Sequence, residues 1–119
     1  MQFGTVCIIG TGLIGGSIGL GLKKRNLAKT DIGVSHRAPS MEKALAMNAI
    51  DFGFLAFDKA IQDADIVILA TSVNQIVDSA KKIFPFMKRN AILTDVGSTK
   101  SYIVKQIRDS IRQDITFVG

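Results

Sequence analysis

The sequence predicts an α/β fold in which a parallel, doubly wound sheet of about six strands carries helices on both faces. Strand-like and helix-like segments alternate along all 119 residues, and this alternation is typical of parallel sheets with right-handed crossovers. The run Ile66–Ala70 is apolar throughout, as expected of a central strand that is buried on both faces. A chain of this length forms one domain with its own core.

The predicted elements follow one another without an internal linker or repeat. The strands are predicted at Thr5–Ile9, Asp31–Ser35, Phe52–Leu55, Ile66–Ala70, Ala91–Asp95 and Ile115–Val118. The helices are predicted at Leu13–Arg25, from the cap Ser40 to about Asn48, as a short turn around Lys59–Asp63, at Asn74–Phe84 before Pro85, and at Lys100–Arg112. Such sheets bind ligands outside the carboxyl ends of their strands, so the residues directly after each strand are the candidates for a site.

The glycine motif Gly10-x-Gly12-x-x-Gly15 leaves the first strand and opens the first helix, a context that makes it specific. In such motifs the first glycine permits a tight turn and the second lets a pyrophosphate approach the backbone. The third allows the helix to pack closely on the strand. The free N–H groups at the helix start, where Leu13 and Ile14 lie, would then face the phosphates. This pattern predicts a Rossmann-type dinucleotide-binding domain.

A membrane anchor is the alternative interpretation of the same segment. Residues 3–22 carry no charge, three cations follow at 23–25, and Gly15-x-x-x-Gly19 matches a packing motif of membrane helices. However, the segment contains seven glycines, and the turn at Gly10–Gly12 falls in its middle. A signal peptide would carry its positive charge before the apolar run. The sequence therefore favours a domain that does not enter the membrane.

Composition and charge narrow the range of partners. The formal net charge is +5 and 47% of the residues are apolar, so the chain is globular and suits an anionic small molecule. The cations are spread along both halves, without the aromatic and basic groove of proteins that bind nucleic acid. Cys7 is the only cysteine and lies in a predicted strand. This indicates a core thiol with no disulfide or metal site, and favours the reducing cytoplasm.

The residues after the second strand bear on the choice between NAD and NADP. An acid about 20 positions past the glycines usually binds the ribose 2′-hydroxyl of NAD. Here that position is Ser35, and Asp31 belongs to the other end of the strand. Ser35, His36 and Arg37 could instead hold a 2′-phosphate through charge-assisted hydrogen bonds, which favours NADP. The alternative is NAD, with Arg37 stacked on the adenine or facing solvent. His36, the only histidine, would lie at the adenosine end, far from the nicotinamide.

Two further loops follow central strands. Thr71, Ser72 and Val73 come after the fourth strand, where they would contact ribose or nicotinamide, although Ser72 would equally cap the next helix. Asp95 ends the fifth strand and is a candidate cofactor contact. The loop that it begins has the sequence DVGSTK and lies at the predicted nicotinamide end, but helix capping and a solvated lysine explain its composition as well.

Taken together, these motifs resemble the prephenate/arogenate dehydrogenase family of tyrosine biosynthesis. The resemblance rests on the glycine motif extended through Gly16 and Ser17, the stretch DIVILAT at 65–71, the DVGSTK loop at 95–100 and the final Phe-Val-Gly at 117–119. These motifs cover essentially the whole chain in the family's order. The glycine motif alone is shared by many dehydrogenases, whereas its combination with DVGSTK is specific.

The resemblance implies an oxidative decarboxylation that uses NAD(P)⁺. Prephenate or arogenate would give up a hydride from its ring, and the loss of carbon dioxide would then make the ring aromatic. In this family the serine of the DVGS loop, here Ser98, hydrogen-bonds near the substrate hydroxyl and the catalytic histidine. That histidine accepts the hydroxyl proton as the general base. Ser98 is therefore the expected catalytic residue of this chain.

The family pattern continues after Phe-Val-Gly with one small residue and then His-Pro, so the histidine is expected two residues beyond Gly119. The family's helical C-terminal domain, which binds substrate and forms much of a homodimer interface, is not among these residues either. We therefore expect residues 1–119 to be the NAD(P)-binding domain of a longer enzyme, inactive by itself. The alternatives are another NAD(P)-dependent hydroxyacid dehydrogenase or imine reductase, and a non-catalytic NAD(P)-sensing module.

Overall fold

The computed structural model describes residues 3–10, 12–35, 37–71, 73–95 and 101–118, in which strands alternate with helices. The strands are β1 (Phe3–Ile9), β2 (Ala28–Val34), β3 (Phe52–Phe54), β4 (Ile66–Leu69), β5 (Ile92–Asp95) and β6 (Thr116–Val118). The helices are α1 (Leu13–Lys24), α2 (Ala38–Ala46), α3 (Phe57–Ile61), α4 (Val73–Ile83) and α5 (Ser101–Ser110), and a 3₁₀ turn (Phe84–Phe86) follows α4 directly.

The six strands form one parallel sheet in the order β3-β2-β1-β4-β5-β6, which confirms the predicted fold class. β1 is central and pairs with β2 on one side and β4 on the other, so the direction of winding reverses between β1 and β4. The register places Ile9 beside both Val34 and Leu69, and Leu69 beside Asp95. The carboxyl ends of four strands therefore meet at one edge, where doubly wound sheets bind ligands.

Successive side chains of β1 alternate between two cores, as the period of a strand requires. Cys7 and Ile9 belong to the larger core, which they share with residues of α3, α4 and α5. Val6 and Ile8 belong to a smaller core, against which residues of α1 pack. Cys7 is fully buried, and this burial raises the pKa of its thiol to about 12. Cys7 is therefore an unreactive core side chain, as predicted.

Several helix boundaries differ from the predicted ones, and the start of α2 is the clearest case. α2 begins at Ala38 with Arg37 as its N-cap, so the prediction that Ser40 caps this helix was wrong. Pro39 lies in the first turn, where a residue without an N–H group is tolerated because that group would have no partner within the helix. α4 ends at Ile83, one residue before the predicted end at Phe84, and the chain continues through Pro85 in the 3₁₀ turn.

Helix α1 packs closely on the connection between α2 and β3. A Cβ atom on Gly19 would lie 2.2 Å from the carbonyl oxygen of Ala49, so this contact requires glycine. The sequence indicated Gly19 only as part of a membrane packing motif. It predicted that Gly15 allows the close packing of the helix on the strand, and that role of Gly15 stays a prediction. Within the described ranges, no helix combines the length and the apolar character that crossing a bilayer demands.

Candidate nucleotide-binding cleft

A cleft of about 950 Å³ opens at the carboxyl ends of β1, β2 and β4. This volume is at the upper end of the range of small-molecule sites and suits a ligand as large as a dinucleotide. Five residues that the sequence predicted as cofactor contacts line the cleft, namely Gly10, Gly12, Ser35, Arg37 and Thr71. The fold thus brings together residues from the ends of three different strands.

Gly10 makes the turn that leads from β1 into the cleft. Its φ angle is +94°, in the region that favours glycine, and a Cβ atom would lie 2.9 Å from the carbonyl oxygen of Ala70. The N–H group of Gly10 donates to the carbonyl oxygen of Val34 at 2.8 Å. Gly10 is therefore held between the ends of β2 and β4, and the predicted tight turn is present.

Gly12 is the N-cap of α1 and offers no side chain to the N–H groups of the first turn. That turn contains no acidic residue, and it includes the predicted contacts Leu13, Ile14 and Gly15. A Cβ atom on Gly12 would meet no atom of the described chain within 4 Å, so packing within the protein does not explain the glycine. The start of α1 has the composition of an anion site, because uncapped N–H groups and the helix dipole both favour negative charge.

Thr71 supplies a hydroxyl group at the end of β4. Its Oγ1 atom is buried and has no hydrogen-bond partner among the residues that the structure describes, although the residue lines the cleft. A buried polar atom without a partner costs about 1–3 kcal/mol, so such an atom in a cleft fits a ligand that hydrogen-bonds to it. The residues of the cleft therefore fit the predicted dinucleotide. Val73 begins α4, and Ser72 lies outside the described residues.

The turn after β2 is built around the hydroxyl group of Ser35. Its Oγ atom accepts a hydrogen bond from the N–H of Arg37 at 3.1 Å and lies 3.3 Å from the Arg37 carbonyl oxygen, to which it donates. The side chain of Arg37 is exposed at the cleft, and its guanidinium has no ion-pair or hydrogen-bond partner in the described part of the chain. Ser35 thus shapes the loop, while Arg37 is available to a ligand. His36 lies outside the described residues.

The predicted nicotinamide end is only partly described. Asp95 is the last residue of β5, beside Leu69 in the sheet, and is half-buried. This position agrees with the expected edge of the sheet, but its contact with a cofactor stays a prediction. Ser98, the expected catalytic residue, lies outside the described residues together with the rest of the loop from Val96 to Lys100.

The second wall of the cleft was not predicted from the sequence. It is formed by the β3–α3 connection, by one side of α4 and by the 3₁₀ turn, and its residues include Leu55, Ala56, Ser79, Lys82, Ile83 and Phe86. The α4 residues follow one another at helical spacing, which is the signal that could have indicated a shared face. The charged groups of the cleft balance, since Arg37 and Lys82 are matched by Asp58 and Asp78.

Asp31 lies in the middle of β2 and is only 1% exposed, away from the residues that line the cleft. Both of its carboxylate oxygens lack a hydrogen-bond partner among the described residues. Burial, and to a smaller extent the neighbouring carboxylate of Asp51, raises the pKa of Asp31 to about 6, while Lys23 lowers it. The position of Asp31 agrees with the prediction that it is not the acid that binds a ribose.

The sheet order and the glycine turn define the class of this protein, a Rossmann-type dinucleotide-binding domain. The family model described as "Prephenate dehydrogenase, nucleotide-binding domain" matches residues 18–119. The chain belongs to this family, which confirms the resemblance that its motifs carry.

Several of the proteins that this chain is similar to are prephenate or arogenate dehydrogenases. Prephenate dehydrogenase of Bacillus subtilis is 33% identical over 116 residues, which are 97% of this chain and 31% of that protein. The crystal structure of prephenate dehydrogenase from A. aeolicus in complex with hydroxyphenyl propionate and NAD⁺ superimposes with a TM-score of 0.87 at 27% identity, covering 98% of this chain and 41% of that one. Arogenate dehydrogenase of Synechocystis gives a TM-score of 0.82 at 30% identity, with 88% and 37% covered. The chain thus spans less than half the length of these relatives.

Proposed function

We propose that this chain is the NAD(P)-binding domain of an enzyme that oxidatively decarboxylates prephenate or arogenate in tyrosine biosynthesis. The observation that carries the proposal is the buried hydroxyl of Thr71, which has no partner among the described residues and lines the same cleft as Gly12 at the uncapped start of α1. The family supports the substrate class, because the relatives are named for prephenate and for arogenate.

Each group of the cleft has a part in this proposal. The N–H groups at the start of α1 bind the pyrophosphate, and Gly12 leaves room for its approach. The hydroxyl of Thr71 hydrogen-bonds to a polar group of the ligand, and Arg37 binds the adenosine end. The bound NAD(P)⁺ supplies a hydride acceptor. Ser98 orients the substrate hydroxyl, and the general base that takes the hydroxyl proton comes from outside these 119 residues. The enzyme acts as a homodimer in the cytoplasm.

The proposed preference for NADP over NAD rests on Arg37. Because the Ser35 hydroxyl is already bonded to the backbone of Arg37, the guanidinium is the stronger candidate for binding a 2′-phosphate, through charge-assisted hydrogen bonds. The A. aeolicus enzyme is named as a complex with NAD⁺, so the two cofactors have to be compared directly.

Titration calorimetry with NAD⁺ and NADP⁺ tests the cofactor preference. We expect NADP⁺ to bind more tightly, and Arg37→Ala to weaken NADP⁺ binding by about 1.5–3 kcal/mol, the contribution of a hydrogen bond to a charged group, with little change for NAD⁺. Lys82→Ala removes another cation that lines the same cleft and is the matched control, with equal and small effects on both ligands. Tighter binding of NAD⁺ by the unmodified chain would refute the preference for NADP.

A further inference from the structure

The cleft has an apolar part in addition to the residues that suit sugar and phosphate. Gly12, Thr71, Ser35 and Arg37 line the cleft at the carboxyl ends of β1, β4 and β2. The remaining wall includes the apolar side chains Leu55, Ile83 and Phe86. In a dinucleotide, adenine is a flat and weakly polar ring attached to a ribose. The proposed function therefore implies that this apolar wall receives the adenine base.

Phe86 belongs to the 3₁₀ turn Phe84–Phe86, a type of element whose own hydrogen bonds are poor. The N–H of Met87 donates to the carbonyl oxygen of Phe84 at a distance of 3.3 Å, which is at the long end for a hydrogen bond. Phe86 is 39% exposed and lines the cleft, so part of its ring is open to a ligand. Contacts to the backbone of the turn therefore help to hold it in one conformation.

Arg112, in the connection between α5 and β6, supplies these contacts. Its Nη1 atom donates to the carbonyl oxygens of Phe84 at 2.7 Å and of Met87 at 2.9 Å, so one nitrogen bridges the two ends of the turn. The guanidinium is oriented in turn by Asp114, whose oxygens accept from Nε at 2.9 Å and from Nη2 at 2.6 Å. Because the guanidinium is planar and presents its donors in a fixed geometry, this arrangement fixes both carbonyl groups at once.

We propose that Arg112 is a positioning residue for the cofactor, which acts by holding Phe86 in the wall of the cleft that receives the adenine ring. This inference rests on the proposed function, since it assigns a role to residues outside the glycine motif in binding the same ligand. Arg112→Lys keeps the positive charge but presents three N–H donors from one nitrogen, so it cannot make the four hydrogen bonds that Arg112 makes to Phe84, Met87 and Asp114.

A double-mutant cycle on NAD⁺ affinity tests the proposal, with the dissociation constant measured by calorimetry on folded protein. We expect Phe86→Ala and Arg112→Lys each to weaken NAD⁺ binding by about tenfold, as loss of an aromatic contact to a base does. In the Phe86→Ala background, Arg112→Lys should change the affinity less than twofold, because residues that act through one another are not additive. A merely structural role would lower the melting temperature without this coupling.

Lys88→Gln is the matched control, because it removes the ion pair of Lys88 with Asp65 just after the same turn without touching its carbonyl groups. It should lower stability and leave NAD⁺ affinity within twofold of the unmodified chain. Asp114→Asn weakens the same contacts of Arg112. It replaces Arg112→Lys in the double-mutant cycle if Arg112→Lys does not fold. Unchanged affinity in the folded Arg112 variant, or additive losses in the double variant, would overturn the inference. Absence of NAD(P)⁺ binding by the unmodified chain would instead overturn the proposed function.

Discussion

Asp31 has a carboxyl group that the fold buries without a hydrogen-bond partner in the described part of the chain. Its pKa rises from 3.8 to about 6, mainly because burial disfavours the charged form. The folded chain therefore holds this proton more tightly than the unfolded chain does. As a consequence, Asp31 lowers the free energy of unfolding as the pH rises from about 4 to above 6, and its full effect is about 3 kcal/mol at neutral pH.

We expect Asp31→Asn to stabilise the chain at pH 8, by about 2–3 kcal/mol, because asparagine has nearly the same shape but no charge to bury. The gain should be mostly lost near pH 4, where Asp31 is protonated in the folded chain and about half-protonated in the unfolded chain. Urea unfolding curves at several pH values measure the difference. A gain of equal size at pH 4 and pH 8 would show that ionisation is not the cause.

Asp51→Asn is the matched control for this prediction and should have the opposite sign. Burial alone would raise the pKa of Asp51, but hydrogen bonds from the N–H of Asp31 and from Lys23 lower it overall. A carboxyl group of this kind stabilises the fold above its unfolded pKa, and the stabilisation is lost as the pH falls. Asp51→Asn should therefore destabilise the chain at pH 8 and do so less at acidic pH.

At the scale of single elements, the order of strands and helices could be predicted, whereas several boundaries could not. β2 begins at Ala28, three residues before its predicted start, because residues 28–30 pair with β1, and their own sequence does not indicate a strand. Ser40 is a good cap by residue type, but Pro39 fits the first turn of α2 and moves its start to Ala38. Local patterns predict where an element exists, while its ends depend on contacts made across the fold.

The packing of α1 gives a prediction from two glycines of the same helix. A Cβ atom on Gly19 would lie 2.2 Å from the Ala49 carbonyl oxygen, whereas a Cβ atom on Gly21 would meet nothing within 4 Å among the described residues. Gly21→Ala should stabilise the chain by about 0.5–1 kcal/mol through helix propensity. Gly19→Ala should destabilise it by about 1–3 kcal/mol, because the backbone must move.

Chemical denaturation of the two variants distinguishes these effects. The midpoint should rise for Gly21→Ala and fall for Gly19→Ala with an unchanged slope, since neither substitution alters the surface exposed on unfolding. Equal midpoints for both variants would contradict the proposed contact between α1 and the α2–β3 connection.

At the scale of the whole molecule, the sequence indicated one side of the cleft and missed the other. Gly10, Gly12, Ser35 and Thr71 follow directly from motifs and strand ends. The opposite wall contains Phe86, which is far from the glycine motif along the chain and meets it only because β1 and β4 are neighbours in the sheet. No local pattern carries that information, because it depends on the strand order.

The 119-residue chain contains one histidine, His36, which the sequence predicts at the adenosine end of the cofactor, far from the nicotinamide. We therefore expect the purified chain to bind NAD(P)⁺ but to form no reduced cofactor when prephenate is added. Binding should appear as stabilisation, about 2.7 kcal/mol at a ligand concentration 100 times the dissociation constant. Absorbance of the reduced nicotinamide measures turnover, with the full-length B. subtilis relative as the positive control. Prephenate-dependent formation of reduced cofactor by the chain alone would contradict the expectation.

The central position of β1 also determines how the sheet can be assembled during synthesis. β1 is made before the other described strands of this sheet, but one of its two edges pairs with β4, which begins only at Ile66. Until that segment has left the ribosome, this edge of an apolar strand has free N–H and C=O groups that can pair with another chain. A nascent chain that pauses before Ile66 is therefore prone to aggregation. The pairing of β1 with β4, which also builds the cleft, removes this risk.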